Sequence, residues 1–274
     1  MKKFLTLLTV VIFMVLPAFS AKDKTSEEYL KNSYHPFSMS FFGENIVNTA
    51  IKRSLKKEAP GNYRVKFKGY TLASIKKGIF KYLEITGKDV NVDDIELPYF
   101  NIKTITDYNW IDYNQDPVVF KSDMEFDCTV HLSEKSINDA LAKEDYNKIL
   151  RNVNTKAFPL FTISKVNVKI KNDKMYIIMS YNFPLAPKAK DRTFMVTSGL
   201  NIVNNEIKPC DIGFDSVYGN LPLNKVINLV NMLNPMNFTA KLMDGKHGNG
   251  KIEEIKIVDD IVIINGKIYV EGEK

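Results

Sequence analysis

Few residues in this 274-residue chain are typed and spaced for catalysis. The three histidines, His35, His131 and His247, stand far apart. None falls in an H-E-x-x-H spacing, which would put two imidazoles on one helical face around a zinc ion. Two read as loop residues and His131 as a strand end. The two cysteines, Cys128 and Cys210, form no C-x-x-C pair, so redox exchange and a thiolate metal site have no support. Each lies on the apolar side of an alternating run: Phe126, Cys128, Val130 and Leu132 in one, Cys210, Ile212 and Phe214 in the other. Two buried thiols or, in an exported protein, a disulfide both fit that placement. Acidic doublets occur at Asp93-Asp94, Glu253-Glu254 and Asp259-Asp260. Neighbours in a strand face opposite ways, so solvated turns and edges account for them better than an acid–base dyad. No G-x-S-x-G elbow, P-loop or G-x-G-x-x-G is present. The expectation is a non-enzyme with no catalytic residues, no metal and no cofactor.

Charge points instead to binding. From Lys52 to Leu83 there are ten basic residues and one acid, Glu58; from Glu84 to Asp127 there are eleven acids and three lysines. Such a division either draws the basic part to an anionic surface, at ~1 kcal/mol per Lys or Arg near charged lipid, or cancels internally between neighbouring strands. Within the basic stretch, Tyr70, Leu72, Ile75, Ile79 and Phe80 surround Lys76-Lys77-Gly78. A greasy turn flanked by lysines can dip into a bilayer or receive a lipid head group, although Leu and Ile beside strands are usually core. The candidate lipid-binding residues are therefore Tyr70, Leu72, Ile75, Lys76, Lys77, Ile79 and Phe80, joined by Leu223, Ile227 and Val230 of a later helix. Nucleic acid is disfavoured because an exported protein rarely meets it.

Export is read from the first residues. Lys2 and Lys3 precede an apolar run from Phe4 to Leu16, and Ala18-Phe19-Ser20 offers a cleavage site after Ser20. The run is shorter than the ~20 residues of a comfortable membrane span. Residues 1–20 are expected to be a signal peptide, 21–40 a flexible segment, and 41–274 a single domain.

The elements that must position any site are mostly strands. Three hairpins share one grammar: alternating apolar runs joined by Asn172-Asp173, Asn204-Asn205 or Asp259-Asp260, residue types that tolerate a left-handed backbone. Helices are predicted over Phe41–Ala59, Glu134–Arg151 with Ser133 as cap, and Pro222–Leu233. Strands are predicted over Tyr63–Lys68, Gly78–Thr86, Val90–Ile105, with Pro98 as a candidate break, and Val118–Leu132; Tyr108–Asp116 and Gly245–Gly250 are predicted as loops. In Lys174–Asn182, Met175, Ile177 and Met179 face one way and Tyr176 and Ile178 the other, so cover is expected on both faces. The fold class is α+β: an elongated, curved antiparallel sheet packed on a few helices.

From Tyr63 to Gly266 the order of features resembles the LmeA-like phospholipid-binding family of bacterial cell envelopes. The matching phrases are Lys68-Gly69-Tyr70 and Lys77-Gly78-Ile79; Leu132-Ser133-Glu134 with Ile137-Asn138; the turn from Leu200 to Ile207; Leu221-Pro222-Leu223 with Leu233-Asn234-Pro235; and Ile252 to Gly266. Thr71 stands where the family often has Pro, and Asp260 where a turn Gly is usual. The resemblance implies a tubular-lipid-binding-like fold that shelters acyl chains between sheet and helix, with no enzymatic activity. The functional expectation is an exported envelope protein, of the periplasm or cell envelope, that binds a phospholipid or similar amphiphile. An anionic membrane surface is a second possible contact. The rival is a structural or interaction protein whose core is filled by its own side chains.

Overall fold

The computed structural model describes residues 40–112, 119–157, 162–182, 192–215, 223–239 and 248–273, together with Glu27 and Leu30. The expected signal peptide, most of segment 21–40, His35, His247 and the first half of the Gly245–Gly250 loop lie outside them. Leu30 is fully buried against Tyr70 and Ile79, so the 21–40 segment has at least one anchor.

The chain runs α1 (Ser40–Glu58), β1 (Asn62–Gly69), α2 (Leu72–Lys76), β2 (Ile79–Val92), β3 (Ile95–Thr104), β4 (Asn109–Asp112), β5 (Val119–Phe120) and β6 (Met124–Ser133). It continues through α3 (Glu134–Leu141), α4 (Glu144–Ala157), β7 (Thr162–Lys171), β8 (Lys174–Asn182), β9 (Arg192–Val203), β10 (Glu206–Asp215), α5 (Leu223–Met232), β11 (Asn249–Val258) and β12 (Ile261–Val270). This is α+β, built on two antiparallel sheets rather than one. The large sheet has the order β11-β12-β6-β3-β2-β4-β5, with β1 also paired to β2; the small one has the order β10-β9-β8-β7.

Local chemistry explains most elements. α1 buries Val47, Ile51 and Leu55, spaced by four, and exposes its lysines. The three expected hairpin turns are present, with φ between 50 and 62° at both central residues. A fourth follows the same grammar at Asp93-Asp94, so the run Val90–Ile105 is a hairpin and not one strand. Pro98, expected to break that run, sits inside β3 opposite Asp89, where neither residue joins the ladder and Asp89 takes φ 50°. The long strand expected over Val118–Leu132 is interrupted at Lys121–Asp123, and the expected loop at Tyr108–Asp116 contains β4. The single helix expected over Glu134–Arg151 is two, α3 and α4, separated at Ala142 and Lys143. Ser133 caps α3, exchanging hydrogen bonds with Ser136.

One buried cluster joins both sheets and the helices, from Val47 of α1 through Ile264 of β12 to Val230 of α5. Met175, Ile177 and Met179 of β8 are completely buried in it. The opposite face of β8 differs from expectation: Tyr176 and Ile178 are half-exposed, beside an exposed Met195 on β9.

Open sheets leave strand edges whose N–H and C=O groups must find partners or invite another chain. Here side-chain amides supply them. Asn138 of α3 grips the edge strand β7 at both atoms: Val168 N–H donates to its Oδ1 (2.8 Å) and its Nδ2 donates to the Val168 carbonyl (2.9 Å). Asn154 of α4 does the same at Ile163, 2.9 Å each way, and Ile170 N–H donates to Glu134 (3.3 Å). Asn205, in the β9–β10 turn, grips β11 through Gly250 C=O (2.7 Å) and Ile252 N–H (2.6 Å), tying the small sheet to the large one. On α1, Asn48 accepts from Phe67 N–H (2.8 Å) and Glu44 from Gly69 N–H (3.1 Å), covering half of the β1 edge.

An Asn138→Ala variant leaves both Val168 groups without partners, at ~1–3 kcal/mol each. Urea denaturation is expected to show a loss of about 2–4 kcal/mol, with concentration-dependent association as the β7 edge opens; a loss within error of zero would mean that the clamp is idle.

Candidate binding cleft

The sequence-derived candidates divide between two places. Tyr70, Ile75, Ile79 and Phe80 are buried in the protein, and Lys76 and Lys77 are half-buried. Tyr70 and Ile79 pack with Leu30, Tyr108 and Trp110, and the Tyr70 hydroxyl donates to the Asp107 carbonyl. Only Leu72 of this group is well exposed. The cause is local: Thr71 caps α2 through Ser74, turning the segment back on the sheet, and Gly69 lets Ile75 approach closer than a Cβ would permit. Val230 of α5 is buried and Ile227 half-buried, and this helix packs on β10 of the small sheet; Leu223 opens it. Among the described residues, Tyr70, Ile75, Ile79 and Phe80 are packed within the first part of the large sheet, and α5 packs on the small one. An apolar cavity lined by Ile95, Ala140, Leu141, Tyr146, Ile149 and Phe238 holds about 60 Å³. That is small beside the ~300–1,000 Å³ of typical ligand sites.

The larger concavity, about 530 Å³, lies where the sequence counted charge but named no site. It is lined by Lys52 and Lys56 of α1, Asn62, Tyr63 and Arg64 of β1, Thr86 and Lys88 of β2, and Tyr99 of β3. The four cations are exposed, and none pairs with an acid among the described residues. Cross-strand register builds the floor: Asn62 lies opposite Lys88, Lys88 opposite Tyr99, and Tyr99 opposite His131. The Tyr99 and His131 rings meet at 4.7 Å, and His131 is followed on β12 by Ile263. Burial holds the His131 imidazole below its ordinary pKa of 6.5, so it is neutral at pH 7 and extends the floor as aromatic surface. The Tyr63 hydroxyl is turned inward to the Ala59 carbonyl (2.8 Å), and burial raises its pKa well above the phenol range.

Charge elsewhere on the same face is largely cancelled between strands. Lys66 pairs with Glu84 (3.5 Å), Lys103 with Asp127 (3.2 Å) and Lys267 with Glu125 (3.0 Å). Of the two outcomes expected for the segregated charge, internal cancellation therefore holds for these strands, while the cleft keeps its excess. The thiols are free and on different sheets, Cys128 on β6 and Cys210 on β10. Burial, reinforced by the Asp127 charge, pushes the Cys128 thiol up to about 12. Among the described residues no group of three or more His, Cys, Asp or Glu side chains is placed to hold a metal ion. No helix among them is long and apolar enough to cross a membrane.

Comparison with protein-family models, curated proteins and solved structures finds no match to this chain.

Glu84 is the acid nearest the cleft along β2 on this face, and it does not line it. Burial alone would raise its pKa, but hydrogen bonds from Asn101 and Tyr82 and the Lys66 charge hold it below the ordinary 4.5. Its contribution to stability is complete above pH 4.5 and is lost as pH falls through the lower native value. Urea midpoints are expected to fall more steeply below pH 4.5 in the native protein than in Glu84→Gln; parallel pH profiles would contradict this.

Proposed function

We propose that this chain is a non-enzymatic binding protein of the cell envelope that takes an anionic phospholipid or a similar amphiphile. The observation that carries the reading is the shape of the cleft: four cations at one end of a cross-strand row that continues through Tyr99 and His131 to Ile263. A charged pocket running into half-buried aromatic and aliphatic surface complements a molecule with an anionic head and an apolar body. The resemblance to LmeA-like proteins and the expected signal peptide support the same reading. In it, the head group lies at Lys52, Lys56, Arg64 and Lys88 rather than at Lys76 and Lys77, and the apolar part lies along the sheet face. Each CH₂ withdrawn from water contributes ~0.8 kcal/mol, so partial cover of one chain suffices for retention.

A second reading, an interaction protein with a self-filled core, is favoured by the small volume of the cavity beside Tyr146. One experiment separates them. The protein is incubated with vesicles of phosphatidylcholine, with or without phosphatidylglycerol, then repurified and analysed by native mass spectrometry. The proposal expects about one lipid per chain, with the anionic lipid preferred; protein that returns bare from both vesicles would favour the second reading.

A further inference from the structure

The ridge of α1 that covers the β1 edge changes its chemistry halfway along. Glu44, Asn48, Lys52 and Lys56 follow one another at intervals of four. Four helical residues rise about 6 Å, and two strand residues rise about 6.6 Å, so the ridge keeps step with alternate residues of a strand alongside. The first two members show the match: Glu44 accepts from Gly69 N–H and Asn48 from Phe67 N–H. In the same step Lys52 falls beside Val65 and Lys56 beside Tyr63. Alternate residues of a strand point their N–H groups to the same side, so Val65 and Tyr63 also present donors to the open edge. Lysine carries donors and no acceptor, so it suits the outward carbonyls of Val65 and Tyr63 but not their N–H groups. No described group accepts from Tyr63 N–H or Val65 N–H, β2 being the strand's one partner.

This stretch of edge therefore has two outward N–H donors, Tyr63 lining the cleft and Val65 two residues further along β1, with Lys52, Lys56, Arg64 and Lys88 around the same cleft. The acid nearest along β2 on this face, Glu84, is held by Lys66, Tyr82 and Asn101. Glu58 and Asp89 are close in sequence and do not line the cleft. Unfilled N–H donors beside four cations form the complement of an oxyanion. Four cations around these donors favour a phosphate, with several charged oxygens, over a single carboxylate.

We propose that the cleft between α1 and the first half of β1 is a discrete phosphate site, in which Val65 and Tyr63 N–H bind the oxygens and Lys52, Lys56, Arg64 and Lys88 supply the charge. The site deepens the amphiphile reading by naming the head-group chemistry, and rests on that reading only for the source of the phosphate, which is either a lipid head group or a soluble phosphate ester.

The test uses the full chain, titrated by calorimetry with inorganic phosphate and glycerol 3-phosphate and by flotation with phosphatidylglycerol vesicles. Three variants are compared. Lys52→Gln/Lys56→Gln removes charge at the cleft. Lys171→Gln/Lys174→Gln removes the same charge at a distant exposed turn. Val65→Pro removes one donor without changing charge, and proline is tolerated on an edge strand whose N–H faces outward. Binding should be saturable at one site per chain. It should weaken about tenfold in the cleft double variant and in Val65→Pro, as expected for loss of a charge-assisted hydrogen bond, and hold in the turn variant. Should Val65→Pro fail to fold, the two double variants decide. Binding of the soluble anions with this pattern assigns a soluble ester; binding of vesicles alone with this pattern assigns a lipid head group. Equal losses in both double variants, or no binding of either kind, would overturn the site. Specific phosphate binding by protein that recovers no lipid would leave the site standing and remove the amphiphile reading.

Discussion

Free strand edges are the constraint on which this architecture depends. Neither sheet closes, so β1, β7, β10 and β11 each end a ladder with backbone groups to satisfy. Asparagine solves the problem locally because its short side chain offers one donor and one acceptor, the same pair that a strand residue presents. Asn138 and Asn154 fix α3 and α4 along β7, and Asn205 fixes the β9–β10 turn to β11. At β10, Asn234 donates to the Ile207 carbonyl at 2.7 Å, while Tyr146 donates to the Leu233 carbonyl beside it at 2.6 Å. The helices are thus placed by edge chemistry as well as by their apolar stripes, and the shared core closes beneath them.

The cleft arises where that solution stops. Glu44 and Asn48 finish the edge near Gly69 and Phe67, and the next two positions of the ridge are lysines. Basic and acidic strands meanwhile neutralise one another across the outer face, through Lys66 with Glu84 and Lys103 with Asp127. Lys52, Lys56, Arg64 and Lys88, without such partners among the described residues, gather at the α1 end of β1. Among the described residues, charge that was segregated by sequence becomes a largely paired sheet face beside a concentrated basic hollow. Its neighbours Tyr99 and His131 make the hollow aromatic on one side.

What could be read from sequence was what is settled within a few residues. The Asn172-Asp173, Asn204-Asn205 and Asp259-Asp260 turns and the α1 stripe are of that kind. Asp93-Asp94 carried the same signal, hidden because the acids were weighed as chemistry and Pro98 as a break. The edge clamps were not legible: Asn138 is an ordinary polar helix residue until the fold brings it to Val168, thirty positions away. The site was legible in part. The excess charge of Lys52, Lys56 and Arg64 was counted, but the greasy turn at Tyr70–Phe80 drew the assignment, and there Tyr70, Ile75, Ile79 and Phe80 are core. The missed signal was the repeat of four along α1, in which two acceptors give way to two lysines; its meaning depends on which strand lies beside the helix.

The central claim is that the β1 edge is half closed by the protein and half reserved for an anion. Amide hydrogen exchange followed by NMR, with and without inorganic phosphate, measures this residue by residue. Phe67 and Gly69 should be protected in both conditions, while Val65 and Tyr63 should exchange freely until phosphate is added and then become protected. Four amides equally protected without phosphate, or Val65 and Tyr63 indifferent to it, would contradict the account.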